Sequence, residues 1–97
     1  MNDIYFDNSQ YLLCREGQEY FYIDFDGNRV SGPYACATTF SDSGYAVAME
    51  KSGRAFLLNH ELERVKTLPG VTGADPEARG EAFLLYKGDT QYLYLVP

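Results

Sequence analysis

A chain of 97 residues makes one domain and leaves little room for a second. Hydrophobic residues form 45% and aromatics 15%, nine Tyr and six Phe with no Trp, which excludes a disordered chain and favours pleated sheet over helix. Eight basic residues against 14 acidic give a net charge of −6, and the basic ones are scattered singly, so a phosphate backbone is not an expected partner.

From the start, Met1-Asn2-Asp3 is acidic where a secretory signal would be basic, and no apolar run follows it. The expectation is a cytoplasmic protein with no membrane span. Tyr11-Leu-Leu-Cys-Arg-Glu-Gly17 and Tyr20-Phe-Tyr-Ile-Asp24 read as two strands around a Gly turn. Asp26-Gly27 is a second turn signal, leading to a short third strand that ends at Val30. Tyr45-Ala-Val-Ala-Met49 and Ala55-Phe-Leu-Leu-Asn59 repeat the hairpin around Ser52-Gly53. Ala82-Phe-Leu-Leu-Tyr-Lys-Gly88 and Tyr92-Leu-Tyr-Leu95 repeat it again.

The offsets are nearly constant. Tyr11 to Tyr45 is 34 positions and Tyr45 to Ala82 is 37; Phe21 to Phe56 is 35 and Phe56 to Tyr92 is 36. Between strands, Asp24 to Val30 lies over Asn59 to Val65, and Phe6-Asp-Asn-Ser lies over Phe40-Ser-Asp-Ser. A period near 35 residues is the mark of a repeat architecture. The expected fold is one all-β domain over 1–97, with units of roughly 1–30, 31–65 and 66–97. These would be three consecutive antiparallel hairpins in a curved meander, a partial barrel or a propeller-like fan. Helix is minimal: a single turn over Asp75-Pro-Glu-Ala-Arg-Gly80, with Asp75 as cap, Pro76 in the first helical position and Gly80 as stop. Tyr20-Phe-Tyr-Ile and Ala82-Phe-Leu-Leu-Tyr are apolar on both faces, so the sheet is either covered twice or offers one face to a partner.

Two runs carry a family resemblance: Tyr22-Ile-Asp-Phe-Asp-Gly-Asn-Arg-Val-Ser-Gly-Pro-Tyr34, and Phe40-Ser-Asp-Ser-Gly-Tyr-Ala-Val-Ala48 followed by Met49. Together they resemble the WG-repeat (KWG) proteins of bacteria. The Trp-Gly pair of that family is absent; Tyr20-Phe21, Ala55-Phe56 and Gln91-Tyr92 stand in its place. The resemblance implies an all-β repeat scaffold or recognition module with no catalytic residues to carry over.

The candidate chemistry is sparse. His60, the single histidine, falls in the Asn59-His-Glu-Leu turn; a triad would need a nucleophile and an orienting acid placed beside it, and no serine has a Gly-x-Ser-x-Gly context. Asp24, Asp26, Asp42 and Asp75 fall where turns and caps use them. Cys14 and Cys36 lack metal-ligand spacing; two buried thiols are expected, with a disulfide as the alternative. No enzyme, metal or cofactor is expected. Tyr20, Tyr22, Tyr92 and Tyr94 are the candidate interaction surface, set against ordinary cross-strand packing. The expected function is a non-catalytic protein-interaction or structural module whose partner is another protein or a second copy in a homodimer. The alternative is a small-ligand domain, perhaps for carbohydrate, that stacks sugars on tyrosines.

Overall fold

The computed structural model describes residues 2–5 and 11–96. The match of Phe6-Asp-Asn-Ser to Phe40-Ser-Asp-Ser therefore lies outside the described residues on its first side. Eleven strands and no helix occur among the described residues. They are β1 (Asn2–Tyr5), β2 (Leu12–Glu16), β3 (Glu19–Ile23), β4 (Arg29–Tyr34), β5 (Cys36–Ala37), β6 (Ala46–Met49), β7 (Ala55–Leu58), β8 (Arg64–Leu68), β9 (Gly73–Ala74), β10 (Ala82–Lys87) and β11 (Thr90–Leu95).

They form three separate antiparallel sheets and no closed barrel. The first has the order β1-β2-β3-β4, the second β5-β6-β7-β8 and the third β9-β10-β11. Each sheet is an up-and-down meander of consecutive strands, so the first two repeats are four-stranded units rather than hairpins with one short extension. The third unit has three strands.

The repeat is visible in hydrogen bonds as well as letters. Asp24 Oδ1 accepts the amides of Asp26 and Asn28, and Asn59 Oδ1 accepts those of Glu61 and Glu63 in the same way. These are Asx turns, in which a short side chain replaces a backbone acceptor. The position of Gly27, with φ of 89°, is taken in the second unit by Leu62 at φ 64°. The third strand extends beyond Val30 to Tyr34. It is an edge strand, the position in a sheet where a proline such as Pro33 is tolerated.

The helical turn over 75–80 does not form. Asp75 Oδ1 does accept the Glu77 amide, as a cap would. The rest of the segment is held by other partners. The Pro76 carbonyl accepts the Thr39 amide, the Ala78 amide donates to Thr39 Oγ1, and Arg79 and Ala82 exchange backbone bonds. Tertiary hydrogen bonds satisfy the backbone groups that a helix would have paired.

The sheets stack as three layers. Leu13, Tyr22 and Tyr34 of the first pack against Ala37, Phe40, Ala46, Ala48, Phe56 and Leu58 of the second unit. Val47, Ala55, Leu57 and Leu68 of the second pack against Val71, Phe83 and Leu85. The central strands of the middle sheet are therefore buried on both faces, which accounts for the loss of apolar-polar alternation in β6 and β7. Small Ala46 and Ala48 leave room for the Tyr22 ring, whose centroid lies 5.4 Å from that of Phe40 and 6.1 Å from that of Tyr34.

Candidate functional site

Within each hairpin, one directly opposed pair points toward the following layer. In the first unit it is Leu13 with Tyr22, in the second Val47 with Leu57, and in the third Leu84 with Leu93. Tyr22 is 0% exposed and Leu57 2%, each under the next sheet, whereas Leu93 is 62% exposed. The third sheet thus presents the face on which another layer rests in the first two units. Ala82, Leu84 and Tyr86 line it from β10, and Gln91, Leu93 and Leu95 from β11. None of these six carries a charge.

Leu95 marks a difference between the copies. It stands where the other units have Asp24 and Asn59, the side chains that build the Asx turns. A polar turn residue has become an apolar one that is 69% exposed. β11 also carries no charged side chain along its length and lies at the edge of its sheet. Edge strands more commonly carry charges or proline that discourage pairing.

The four tyrosines do not share one surface. Tyr22 is in the first core, and its hydroxyl donates to the Thr38 carbonyl at 2.8 Å. Tyr20 is half-buried against the same core. Tyr92 and Tyr94 turn inward against the second core, away from Leu93 and Leu95. Burial pushes the Tyr92 phenol above its ordinary range. Lys87 Nζ lies 5.3 Å from the Tyr92 ring centroid and Lys66 Nζ 5.9 Å from that of Tyr94. Leu93 and Leu95 alternate with these tyrosines and point outward, so the exposed face of β11 is aliphatic and not aromatic. The signal was present in the alignment of Leu93 with Leu57 and Tyr22.

A second repeated arrangement sits at the other face of the units. The Arg29 guanidinium lies 3.9 Å from the Phe21 ring centroid and Arg64 4.0 Å from that of Phe56. Arg29 pairs with Glu16 at 2.8 Å and Arg64 with Glu50 at 2.6 Å. The hydrogen bond from Arg64 holds the Glu50 carboxyl below its ordinary pKa. Each Arg roofs a shallow hollow, one lined by Phe21 and 29–33, the other by Arg54, Phe56 and 64–67.

The remaining titratable groups serve local structure. His60 is exposed, 3.7 Å from Glu61. Asp24 is held low by Asn28, and Glu81 by Ser43, whose amide donates to it at 2.7 Å. No disulfide joins Cys14 and Cys36; Cys14 is buried, and Cys36 is part-buried with Sγ donating to the Ala74 carbonyl at 3.2 Å. Burial raises the Cys36 pKa. Among the described residues no three His, Cys, Asp or Glu side chains gather as metal ligands, and no helix is long and apolar enough to cross a membrane. No known protein family, curated protein or solved structure matches the chain.

Proposed function

We propose that the chain is a non-catalytic β-repeat module, a divergent relative of the WG repeats, that binds protein through the outer face of its third sheet. The observation that carries this reading is Leu93, 62% exposed opposite a half-buried Leu84, where the equivalent pairs are covered. Exposed apolar faces without charge are characteristic of interaction sites. The carbohydrate alternative has less support, because Tyr22 is fully buried and Tyr92 and Tyr94 face inward.

A photo-crosslinking residue at position 93, compared with one at exposed Phe25, tests the reading in expressing cells. The expected result is a discrete protein adduct from position 93 that Leu95→Asp abolishes and that position 25 does not form. No adduct, or the same adduct from both positions, would refute it.

A further inference from the structure

We infer that the partner on this face is a second copy of the chain, docked third sheet to third sheet about a two-fold axis. The inference rests on the interaction reading above and specifies the occupant.

Charge is the first ground. The chain has a net charge of −6, so two copies repel at long range. Ala82, Leu84, Tyr86, Gln91, Leu93 and Leu95 put no charged group into the contact, so two such faces meet without desolvating an ion. A partner chosen for charge complementarity would find nothing here to pair with.

Continuity with the existing interfaces is the second ground. This molecule already buries apolar faces of antiparallel sheets by stacking them, once on each side of its middle sheet. Two facing sheets whose side chains interdigitate are a standard way to close such a layer. The pair of half-buried Leu84 and exposed Leu93 occupies the position of the two pairs that make those interfaces.

The third ground is the poorer fit of a head-to-tail alternative. Continuing the stack from copy to copy would set the third sheet of one molecule on the forward face of the first sheet of the next. That face holds Leu12, Cys14 and Phe21, which are already buried, and Ile4, which is 45% exposed, with the Arg29 cation over the Phe21 ring and paired to Glu16. The third sheet is thereby directed to its own counterpart. A face that meets itself closes after two copies instead of growing into a filament. Leu95 extends the apolar patch in this unit alone, where its equivalents are Asp24 and Asn59.

Sedimentation equilibrium on the 97-residue chain tests this directly. The expected mass at high concentration is twice the chain's 11.0 kDa. Leu93→Glu is present on both sides of a symmetric contact, so it should weaken the dimer about a hundredfold or more. Its circular dichroism should stay that of the parent chain, and Phe25→Glu should leave the dimer intact. If Leu93→Glu unfolds, Leu95→Ser supplies the same test with a smaller change, again expected to favour the monomer. A monomer up to millimolar concentration would overturn the inference, as would a dimer that survives Leu93→Glu or Leu95→Ser in folded protein. A monomer that still forms a position-93 adduct with a different protein would overturn self-pairing and leave the interaction reading standing. A monomer with no adduct would overturn both.

Discussion

Two tyrosine hydroxyls in similar strands should respond oppositely to the same substitution. The Tyr22 hydroxyl donates to the Thr38 carbonyl at 2.8 Å, and both residues are fully buried. Tyr22→Phe keeps the ring, its tilted contact with Phe40 at 5.4 Å and its edge contact with Tyr34 at 6.1 Å. It removes a donor from a carbonyl that has no water to turn to. Leaving a buried acceptor unsatisfied costs about 1–3 kcal/mol, and loss of the desolvated hydroxyl offsets part of that. The expected net loss is about 1–2 kcal/mol, or roughly 4–8 °C in Tm for each kcal/mol in a domain of this size. The Tyr94 hydroxyl is also buried, but it has no hydrogen-bond partner among the described residues. Tyr94→Phe removes a desolvated polar atom and breaks no bond, so stability should hold or rise by up to about 1 kcal/mol. Urea denaturation of the two variants and the parent, fitted with a common slope, measures both values. A Tyr22→Phe loss below about 0.5 kcal/mol, or a Tyr94→Phe loss as large as that of Tyr22→Phe, would refute the reasoning.

Three further outcomes follow. A Cβ on Gly32, at φ 118°, would stand 2.7 Å from Phe21 Cβ, so Gly32→Ala should cost about 2–4 kcal/mol by thermal denaturation, while Gly17→Ala, with nothing within 4 Å, should cost about 1. Arg64→Ala removes the cation from the Phe56 ring and should cost about 0.5–1 kcal/mol, with Arg64→Lys recovering only part of it in the same assay. Glu19, Asp24, Glu50 and Glu81 all have folded pKa values below their ordinary 4.5 or 3.8. Their contribution is therefore present above the ordinary values and is lost as pH falls through the lower, folded ones. Chemical denaturation across an acid series should show stability falling below about pH 4.5, less steeply in Glu81→Gln.

Turn chemistry made much of the architecture legible before any coordinates. Gly17, Gly27, Gly53 and Gly88 all adopt positive φ at the turns the sequence predicts, and the period that aligns Phe21 with Phe56 also aligns the Arg residues above them. Apolar residues on both faces of β3 and β10 left two readings, a doubly covered sheet or a face for a partner, and the strands packed on both faces are β6 and β7 of the middle sheet. Position 75–80 was misread because local signals for a cap and a stop say nothing about Thr39, which lies far along the chain and takes those backbone groups. Leu62 shows the converse. Its left-handed backbone is fixed by the Asn59 turn and by packing on the first core, and no glycine announces it. The tyrosines were legible as residues, but their directions were not. Each hairpin's register decides which face a side chain joins, and that set Tyr20 and Tyr22 on the first core, Tyr92 and Tyr94 on the second, and turned Leu93 outward between the last two.

Covering the middle sheet twice has a mechanical result. Val47 and Ala48 are consecutive residues, yet Val47 lines the core shared with the third sheet and Ala48 the core shared with the first. Leu57 and Phe56 divide in the same way. A single stretch of main chain is thus the common wall of both compartments. Extra bulk in one compartment must shift the backbone that shapes the other, since close-packed interiors deform little. Changes at Ala48 and at Val47 should therefore be energetically non-additive, although their side chains meet different neighbours. Strain arising at the first sheet has a direct route, one peptide thick, to the sheet that carries Leu84 and Leu93.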